Sequence, residues 1–203
     1  RSKARIHAFR DQVLRQRYPR LWAKDGFPQI VPKAHGAYAE VPDALPCVNT
    51  LYKKKPRLLL LVRCLTMGGG SVFDLDVVEQ LTRRGWEITI AATDEDAHPW
   101  LPQFARYTPD IFILPHFLRL TDYPRFLRYL IISRQIDTVF LTSSEAGYLL
   151  LPYLRAHFPS LPIVDYCHIV NEERNNGGFP RLAVQYQTLL DVNGVSSHSV
   201  KEW

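Results

Sequence analysis

Cysteine, methionine and long apolar runs are scarce in this sequence. Its 203 residues include three cysteines and one methionine. Cys47, Cys64 and Cys167 form no CxxC pair and no Cys/His spacing of the kind that binds zinc. We therefore expect a reducing compartment, buried free thiols and no metal site. The apolar run at Leu58–Val62 is far shorter than the roughly 20 residues of a membrane span.

Several catalytic signatures are also missing. The glycines do not follow GxGxxG, no GK[ST] follows them, and no Tyr-x-x-x-Lys pair is present. These absences argue against a P-loop enzyme and against a nicotinamide-dependent oxidoreductase or epimerase. Ser143, Ser144 and His168 could suggest a hydrolase, but the sequence contains no GxSxG. We also find no convincing pair of carboxylates for glycoside hydrolysis.

Positive charge is concentrated at one end of the chain. Residues 1–56 carry a net charge of +8 and residues 57–203 carry −3, within a total of +5. Residues 3–18 show the spacing of an amphipathic helix, and a proline-rich linker extends to Pro56. This segment is either a solvated helix face, a contact with an anionic membrane surface, or a contact with another part of a longer protein. The main domain has no predicted basic face, so we expect no nucleic-acid partner.

After Pro56 the pattern predicts an α/β fold. Apolar strands alternate strictly with helices, which is typical of a parallel sheet covered on both faces. We predict a doubly wound, Rossmann-like, mostly parallel sheet of about six strands in a domain spanning 57–203. The predicted strands are 57–64, 86–92, 110–115, 137–142, 161–167 and 192–197, and the predicted helices are 71–84, 99–107, 123–134, 145–157 and 180–190.

Three consecutive glycines stand where the first strand gives way to a helix. Gly68, Gly69 and Gly70 would let a ligand approach the backbone closely, and the amides at the helix start attract anions. We therefore predict a diphosphate site at these glycines and Ser71, although a tight packing turn explains them equally well. Ser71 is the expected N-cap, with Asp74 three residues on as an imitation of a capping box. Asp74 and Asp76 in the first turn would weaken phosphate binding.

A second group of polar residues follows the predicted fifth strand. His168 stands at the strand's carboxyl end, where it can bond to a ligand hydroxyl or be satisfied by neighbouring backbone. Ligands of doubly wound sheets bind at this edge. The other candidates are expected to contact an acceptor or an anion, or to lie on the surface without a ligand. These are Asn171, Arg174, Arg181 and Glu145.

Three segments together carry a resemblance to a known family: MGGGSVFDLDVVEQLTRRGWEITIAAT, LPIVDYCHIV and DVNGVSSHSVKEW. On these segments the chain from about Arg57 to Trp203 resembles the N-terminal half of a GT-B glycosyltransferase of glycosyltransferase family 4. The segments are similar to that family's glycine loop with its helix and second strand, to its apolar fifth strand ending in histidine, and to the last strand and helix of the domain. Residues 1–56 lie outside the resemblance.

The resemblance implies a retaining transferase that uses a nucleotide-sugar donor and needs no metal or other cofactor. It implies that Gly68, Gly69 and Gly70 approach the donor diphosphate and that His168 touches the transferred sugar. It also implies that this domain holds a glycan or other hydroxyl acceptor, in glycan or polysaccharide synthesis. A C-terminal donor domain with a Glu-x7-Glu motif is not contained in these residues, so we expect a segment of a longer protein that folds alone but is nearly inactive.

One alternative from another class remains open. A Rossmann-like domain of this kind could be a non-catalytic module that binds a glycan or a nucleotide. The sequence following Trp203 would discriminate, since an enzyme needs the second Rossmann half. For either function we expect a cytoplasmic protein that contacts a membrane, if at all, peripherally through its N-terminal segment.

Overall fold

The computed structural model describes residues 52–173 and 176–202. The predicted helix over 3–18, most of the linker, Cys47, Arg174 and Trp203 lie outside the described residues. The proposed division of the chain into 1–56 and 57–203 therefore stays a prediction.

The described residues form a six-stranded parallel sheet with helices on both faces. The strands are β1 (Arg57–Val62), β2 (Glu87–Ala92), β3 (Ile111–Ile113), β4 (Thr138–Thr142), β5 (Ile163–Cys167) and β6 (Val192–Val195). The helices are α1 (Gly69–Arg83), α2 (Leu101–Phe104), α3 (Tyr123–Arg134), α4 (Glu145–His157), α5 (Phe179–Gln185) and α6 (His198–Glu202). Short 3₁₀ turns occupy Leu114–His116, Leu120–Asp122 and Gln187–Leu189.

The strand order is β3-β2-β1-β4-β5-β6, and all neighbouring strands are parallel. The chain moves outward from β1 to β3, returns to pair β4 with β1, and then continues outward to β6. This order confirms the predicted doubly wound, Rossmann-like sheet. The topological switch point lies between β1 and β4, whose register runs from Leu58 opposite Thr138 to Val62 opposite Thr142.

The apolar strands build one core on each face of the sheet. Leu59 and Leu61 of β1 face the core formed with α3 and α4. Leu58 and Leu60 face the opposite core, which includes Val78 of α1. Successive residues of a strand point to opposite faces, so a central strand covered on both sides must be apolar throughout.

Helix α1 begins two residues earlier than predicted. Gly68 is its N-cap, and no side chain caps it. The prediction that Ser71 caps this helix was therefore wrong, and so was the capping box with Asp74. Val72 N–H donates to Gly68 O at 3.0 Å. Because the helix starts at Gly69, its first turn contains no acidic residue.

The other end of α1 agrees with the sequence. Gly85 follows the helix with a φ of 86°, the left-handed conformation expected of a glycine after a helix. Helices α3 and α4 have the predicted bounds, and α4 has Ser144 as its N-cap, with Gly147 N–H donating to Ser144 Oγ at 2.9 Å. By contrast, α5 ends at Gln185, five residues before its predicted end, and β6 ends at Val195.

Two negative observations concern the described residues. None of their helices has the length and apolar character needed to cross a membrane. In the same part of the chain, no group of three or more His, Cys, Asp and Glu side chains is arranged to hold a metal ion. Cys64 and Cys167 are buried free thiols, as predicted.

A buried hydrogen-bond network fixes the end of β5. Asp165 is fully buried, and Tyr148 of α4 donates its hydroxyl to Asp165 Oδ1 at 2.7 Å. Cys167 Sγ approaches Asp165 Oδ2 at 3.4 Å. Burial raises the pKa of Asp165 to about 6, and the hydrogen bonds from Tyr148 and Cys167 counteract part of that rise. The network joins α4 to the strand that leads into His168.

We predict that Tyr148→Phe destabilises the domain. Removing the hydroxyl leaves the buried Asp165 carboxyl without its shortest hydrogen bond, which should lower the free energy of unfolding by about 1–3 kcal/mol. Urea unfolding followed by circular dichroism measures the loss. Tyr52→Phe is the control, because that ring is 83% exposed. Equal stability of the two variants would show that the network does not hold β5.

Candidate functional site

The glycine turn and His168 line one cleft at the carboxyl edge of the sheet. This cleft has a volume of about 310 Å³, and we call it the glycine–histidine cleft. Its walls come from the segment after β1, the first turns of α1, the end of β4, the segment after β5 and the start of α5. It therefore opens at the topological switch point, where doubly wound sheets bind their ligands.

The imidazole of His168 lies over the position that a side chain on Gly70 would occupy. A methyl group placed on Gly70 would lie 3.4 Å from Cδ2 and 3.6 Å from Nε2 of His168. Gly68 and Gly69, in contrast, have open space where a side chain would project. Gly68 and Gly70 line the cleft, so the main chain of the turn forms part of its wall next to the imidazole.

The start of α1 has the electrostatic character of an anion site. The first amides of a helix have no partner within the helix, and here no side chain caps them. The helix dipole adds partial positive charge at the same place. Arg63, which follows β1, also lines the cleft and brings a full positive charge. Sequence analysis did not select Arg63, although its position directly after a buried strand could have indicated it.

The imidazole of His168 is held by aromatic packing. Its ring centroid lies 5.0 Å from Phe73 and 5.0 Å from Tyr166, both in edge-on geometry. Phe73 and Tyr166 stack on each other at 4.2 Å with an interplanar angle of 13°. Burial lowers the pKa of His168, which favours the neutral ring at pH 7. Nε2 of His168 is buried and has no hydrogen-bond partner among the described residues.

Asp74 is a buried residue of the cleft wall, whereas the sequence analysis placed it in the first turn of the helix as part of a capping box. It is 5% exposed, lines the cleft, and accepts a hydrogen bond from Thr142 Oγ1 at 2.9 Å. Burial raises the pKa of Asp74 to about 7, and the bond from Thr142 counteracts part of the rise. Its spacing of four residues from the core residue Val78 is the signal that could have placed it on the inner face of α1.

The backbone beside Thr142 is unusual. Ser143 has a φ of 48°, a left-handed conformation that non-glycine residues seldom adopt. It follows the last residue of β4 and lines the cleft. Next to it, Ser144 Oγ lies 2.7 Å from Thr93 Oγ1, so a buried hydroxyl pair joins the ends of β2 and β4. Such conformations concentrate at functional sites.

The predicted acceptor or anion contacts do not assemble around this cleft. Arg181 is 8% exposed, and burial lowers its pKa, so it is neither a surface residue nor part of the cleft wall. Asn171 is exposed and pairs through its backbone with Gly177 at 3.0 and 3.2 Å. Glu145 is the exposed first residue of α4 and does not line the cleft. Arg174 lies outside the described residues.

A larger groove, of about 820 Å³, lies at the opposite, amino-terminal edge of β1, β2 and β3. Its main charges are paired: Arg134 donates to Asp110 at 2.7 Å, and Arg57 donates to Glu87 at 2.6 Å. Salt-bridged side chains are already satisfied, and ligands of doubly wound sheets bind at the other edge. We therefore take the smaller glycine–histidine cleft as the functional site.

Comparison with known proteins gives structural matches alone. No family model matches the sequence, and a search of curated proteins finds no match. Among solved structures, MurG of Acinetobacter baumannii is 14% identical over 69% of this chain and 41% of that chain, with a TM-score of 0.49. An alpha-glucosyltransferase in complex with UDP and a 13-mer DNA containing a central A:G mismatch is 19% identical over 70% and 37%, with a TM-score of 0.49.

A mutant O-GlcNAc transferase of Thermobaculum terrenum is 14% identical over 81% of this chain and 32% of that chain, with a TM-score of 0.43. The chain thus spans about two fifths or less of the length of these proteins. Sequence identities and TM-scores this low carry no argument about the function of this chain. Membership of glycosyltransferase family 4, a cytoplasmic location and the exclusion of nucleic acid all stay predictions.

We predict that Asp74 makes the stability of the fold depend on pH. Its folded pKa of about 7 exceeds the ordinary value of 3.8, so the fold binds this proton more tightly than the unfolded chain does. The stabilisation is complete below about pH 4 and is lost as the pH rises through 7, with a total of at most about 4 kcal/mol. Asp74→Asn should remove this loss.

The measurement is urea unfolding of both proteins between pH 5 and pH 8.5. The advantage of Asp74→Asn over the unchanged protein should grow with pH. Asp165, whose pKa is also raised, is present in both proteins and cancels in the difference. A difference that stays constant across this range would contradict the prediction.

Proposed function

We propose that this chain is the acceptor-side domain of a retaining, nucleotide-sugar-dependent glycosyltransferase that acts in glycan or polysaccharide synthesis. The observation that carries the proposal is that Gly70 and His168 line the same cleft, with the imidazole beside the glycine. The family resemblance assigns the diphosphate to the glycine turn and the transferred sugar to the histidine. Those two elements lie far apart in the chain, and the fold brings them to one site.

The proposed chemistry follows from charge development during sugar transfer. As the bond to the sugar breaks, the diphosphate leaving group gains negative charge. Fixed hydrogen-bond donors directed at such charge stabilise the transition state more than the ground state. The uncapped amides at Gly69, Gly70 and Ser71, with Arg63 beside them, are donors of this kind. Most of the donor contacts are expected from a second domain.

His168 has a separate role in the proposal. Its ring is held by Phe73 and Tyr166, and burial favours the neutral imidazole. A neutral ring whose Nε2 has no partner among the described residues can bond to a sugar hydroxyl. Such a bond would hold the sugar in line with the diphosphate on the glycine turn.

We predict that Gly69→Ala lowers the affinity for a nucleoside diphosphate without destabilising the fold. The added methyl group meets open space in the free protein, and under the proposal a phosphate bound to the amides of the turn takes up that space. The affinity of the chain for UDP, measured by calorimetry, should fall at least about tenfold, since charge-assisted hydrogen bonds are lost.

Gly85→Ala, at the opposite end of the same helix, is the matched control. Its φ of 86° makes alanine strained there, so stability should fall by about 1 kcal/mol while the affinity for UDP stays unchanged. Similar effects of the two substitutions on UDP binding would remove the glycine turn from the proposed site.

We predict that His168→Ala, made in the longer protein, lowers turnover by about 100-fold because the sugar is no longer held in line. The fold should be retained, as judged by circular dichroism. His198→Ala, which changes an exposed histidine of α6, is the control and should retain activity. Unchanged turnover in His168→Ala would exclude this residue from the site. Efficient sugar transfer by residues 1–203 alone would contradict the assignment as an acceptor-side half.

A further inference from the structure

We propose that Asp74 is a ligand-binding residue of the glycine–histidine cleft, where its carboxyl group accepts a hydrogen bond from a hydroxyl of the ligand's sugar. The inference rests on the proposed function, because it takes the ligand to be a nucleotide sugar. It adds a binding residue that orients the ligand in the cleft, with the sugar on one side and the phosphates on the other.

The position of Asp74 in α1 is the first support. The buried residues of this helix are Asp74 and Val78, so a carboxyl group occupies an inward position on the face that packs against the sheet. Its side chain reaches the cleft wall beneath the first turn of α1. Burying an apolar residue at this position would favour folding, whereas desolvating a carboxyl group opposes it.

Unused hydrogen-bonding capacity is the second support. A carboxylate can accept about four hydrogen bonds, and the described residues supply one, from Thr142 Oγ1. Nε2 of His168, in the wall of the same cleft, also has no partner among the described residues. A carboxylate and an imidazole nitrogen with spare hydrogen-bonding capacity around one cavity fit a ligand that carries several hydroxyl groups, since a hydroxyl both donates and accepts.

The charges around Asp74 decide the orientation of that ligand. Facing the cleft are Arg63 and Cys64 from the segment after β1 and His168 from the segment after β5, while β4 contributes the uncharged Thr142 and Ser143. A carboxylate attracts sugar hydroxyls and repels phosphate. The phosphates would therefore lie at the open glycines, and the sugar would lie toward Asp74 and His168.

Protonation of Asp74 changes this balance. Because burial raises its pKa to about 7, the group changes charge within the ordinary working range of pH. The charged form accepts hydroxyl donors more strongly and repels a nearby diphosphate. The terminal phosphate of UDP also ionises in this range, so the effect of Asp74 is the difference from Asp74→Asn. Relative to that variant, the affinity of the unchanged protein for UDP should decrease from pH 6 to pH 8.5, and the advantage of UDP-glucose over UDP should increase.

The test measures dissociation constants of UDP and UDP-glucose by calorimetry, at pH 6 and pH 8.5, for the longer protein that carries the second domain of the proposed function and for three variants of it. In the unchanged protein UDP-glucose should bind more tightly than UDP. At pH 8.5 Asp74→Leu should reduce that advantage about tenfold, the typical value of a hydrogen bond to a charged group. Asp74→Asn keeps an acceptor oxygen and should retain part of the advantage, with only the pH dependence that the terminal phosphate of UDP contributes.

Asp76→Asn is the matched control, because it removes a charge from an exposed position of the same helix and should leave both affinities unchanged. If Asp74→Leu leaves the ratio of the two affinities unchanged, or weakens both probes equally, the role of Asp74 is overturned and the proposed function stands. If the unchanged protein binds UDP and UDP-glucose equally well, the role of Asp74 is likewise overturned and the proposed function stands. If neither probe binds at either pH, the proposed function falls and this inference falls with it.

Discussion

The pairing of β1 with β4 is the constraint on which the site depends. These strands are neighbours in the sheet although β2 and β3 intervene in the chain. Helices α1 and α4, which follow β1 and β4, lie on opposite faces, so the strand ends diverge and leave a gap between them. The glycine turn and Thr142 border this gap, and β5 adds His168 from the next position. Without this pairing, the candidate residues would belong to separate surfaces.

The sheet was predictable because its central strand is a continuous run of apolar residues. Leu58–Val62 is apolar at every position, which a central parallel strand requires and an amphipathic helix does not allow. Helix α4 was predicted with its correct bounds, and the structure has Ser144 as its N-cap, a residue type that favours the start of a helix. For β1 and α4, the local sequence pattern and the packing in the folded domain therefore favour the same element.

The site was predictable only in part, because its remaining residues depend on contacts distant in sequence. The glycines were indicated by their lack of side chains at the start of a helix, and His168 by its position directly after β5. Asp74 faces inward to Thr142, a partner 68 residues away that no local pattern reveals. The start of α1 was misplaced because Ser71 is a better capping residue than Gly68, whereas the structure leaves the helix uncapped. Arg181 is buried by packing of α5, which the sequence of that short helix does not encode.

The absence of a side-chain cap on α1 has a consequence for how such a site changes over evolutionary time. Main-chain N–H groups are the same whatever residue carries them, so they recognise a phosphate by shape and charge and impose no demand on the attached base. Under the proposed function, one nucleotide could therefore replace another during evolution while the turn stays intact. Selectivity for the base would then have to come from residues outside this turn.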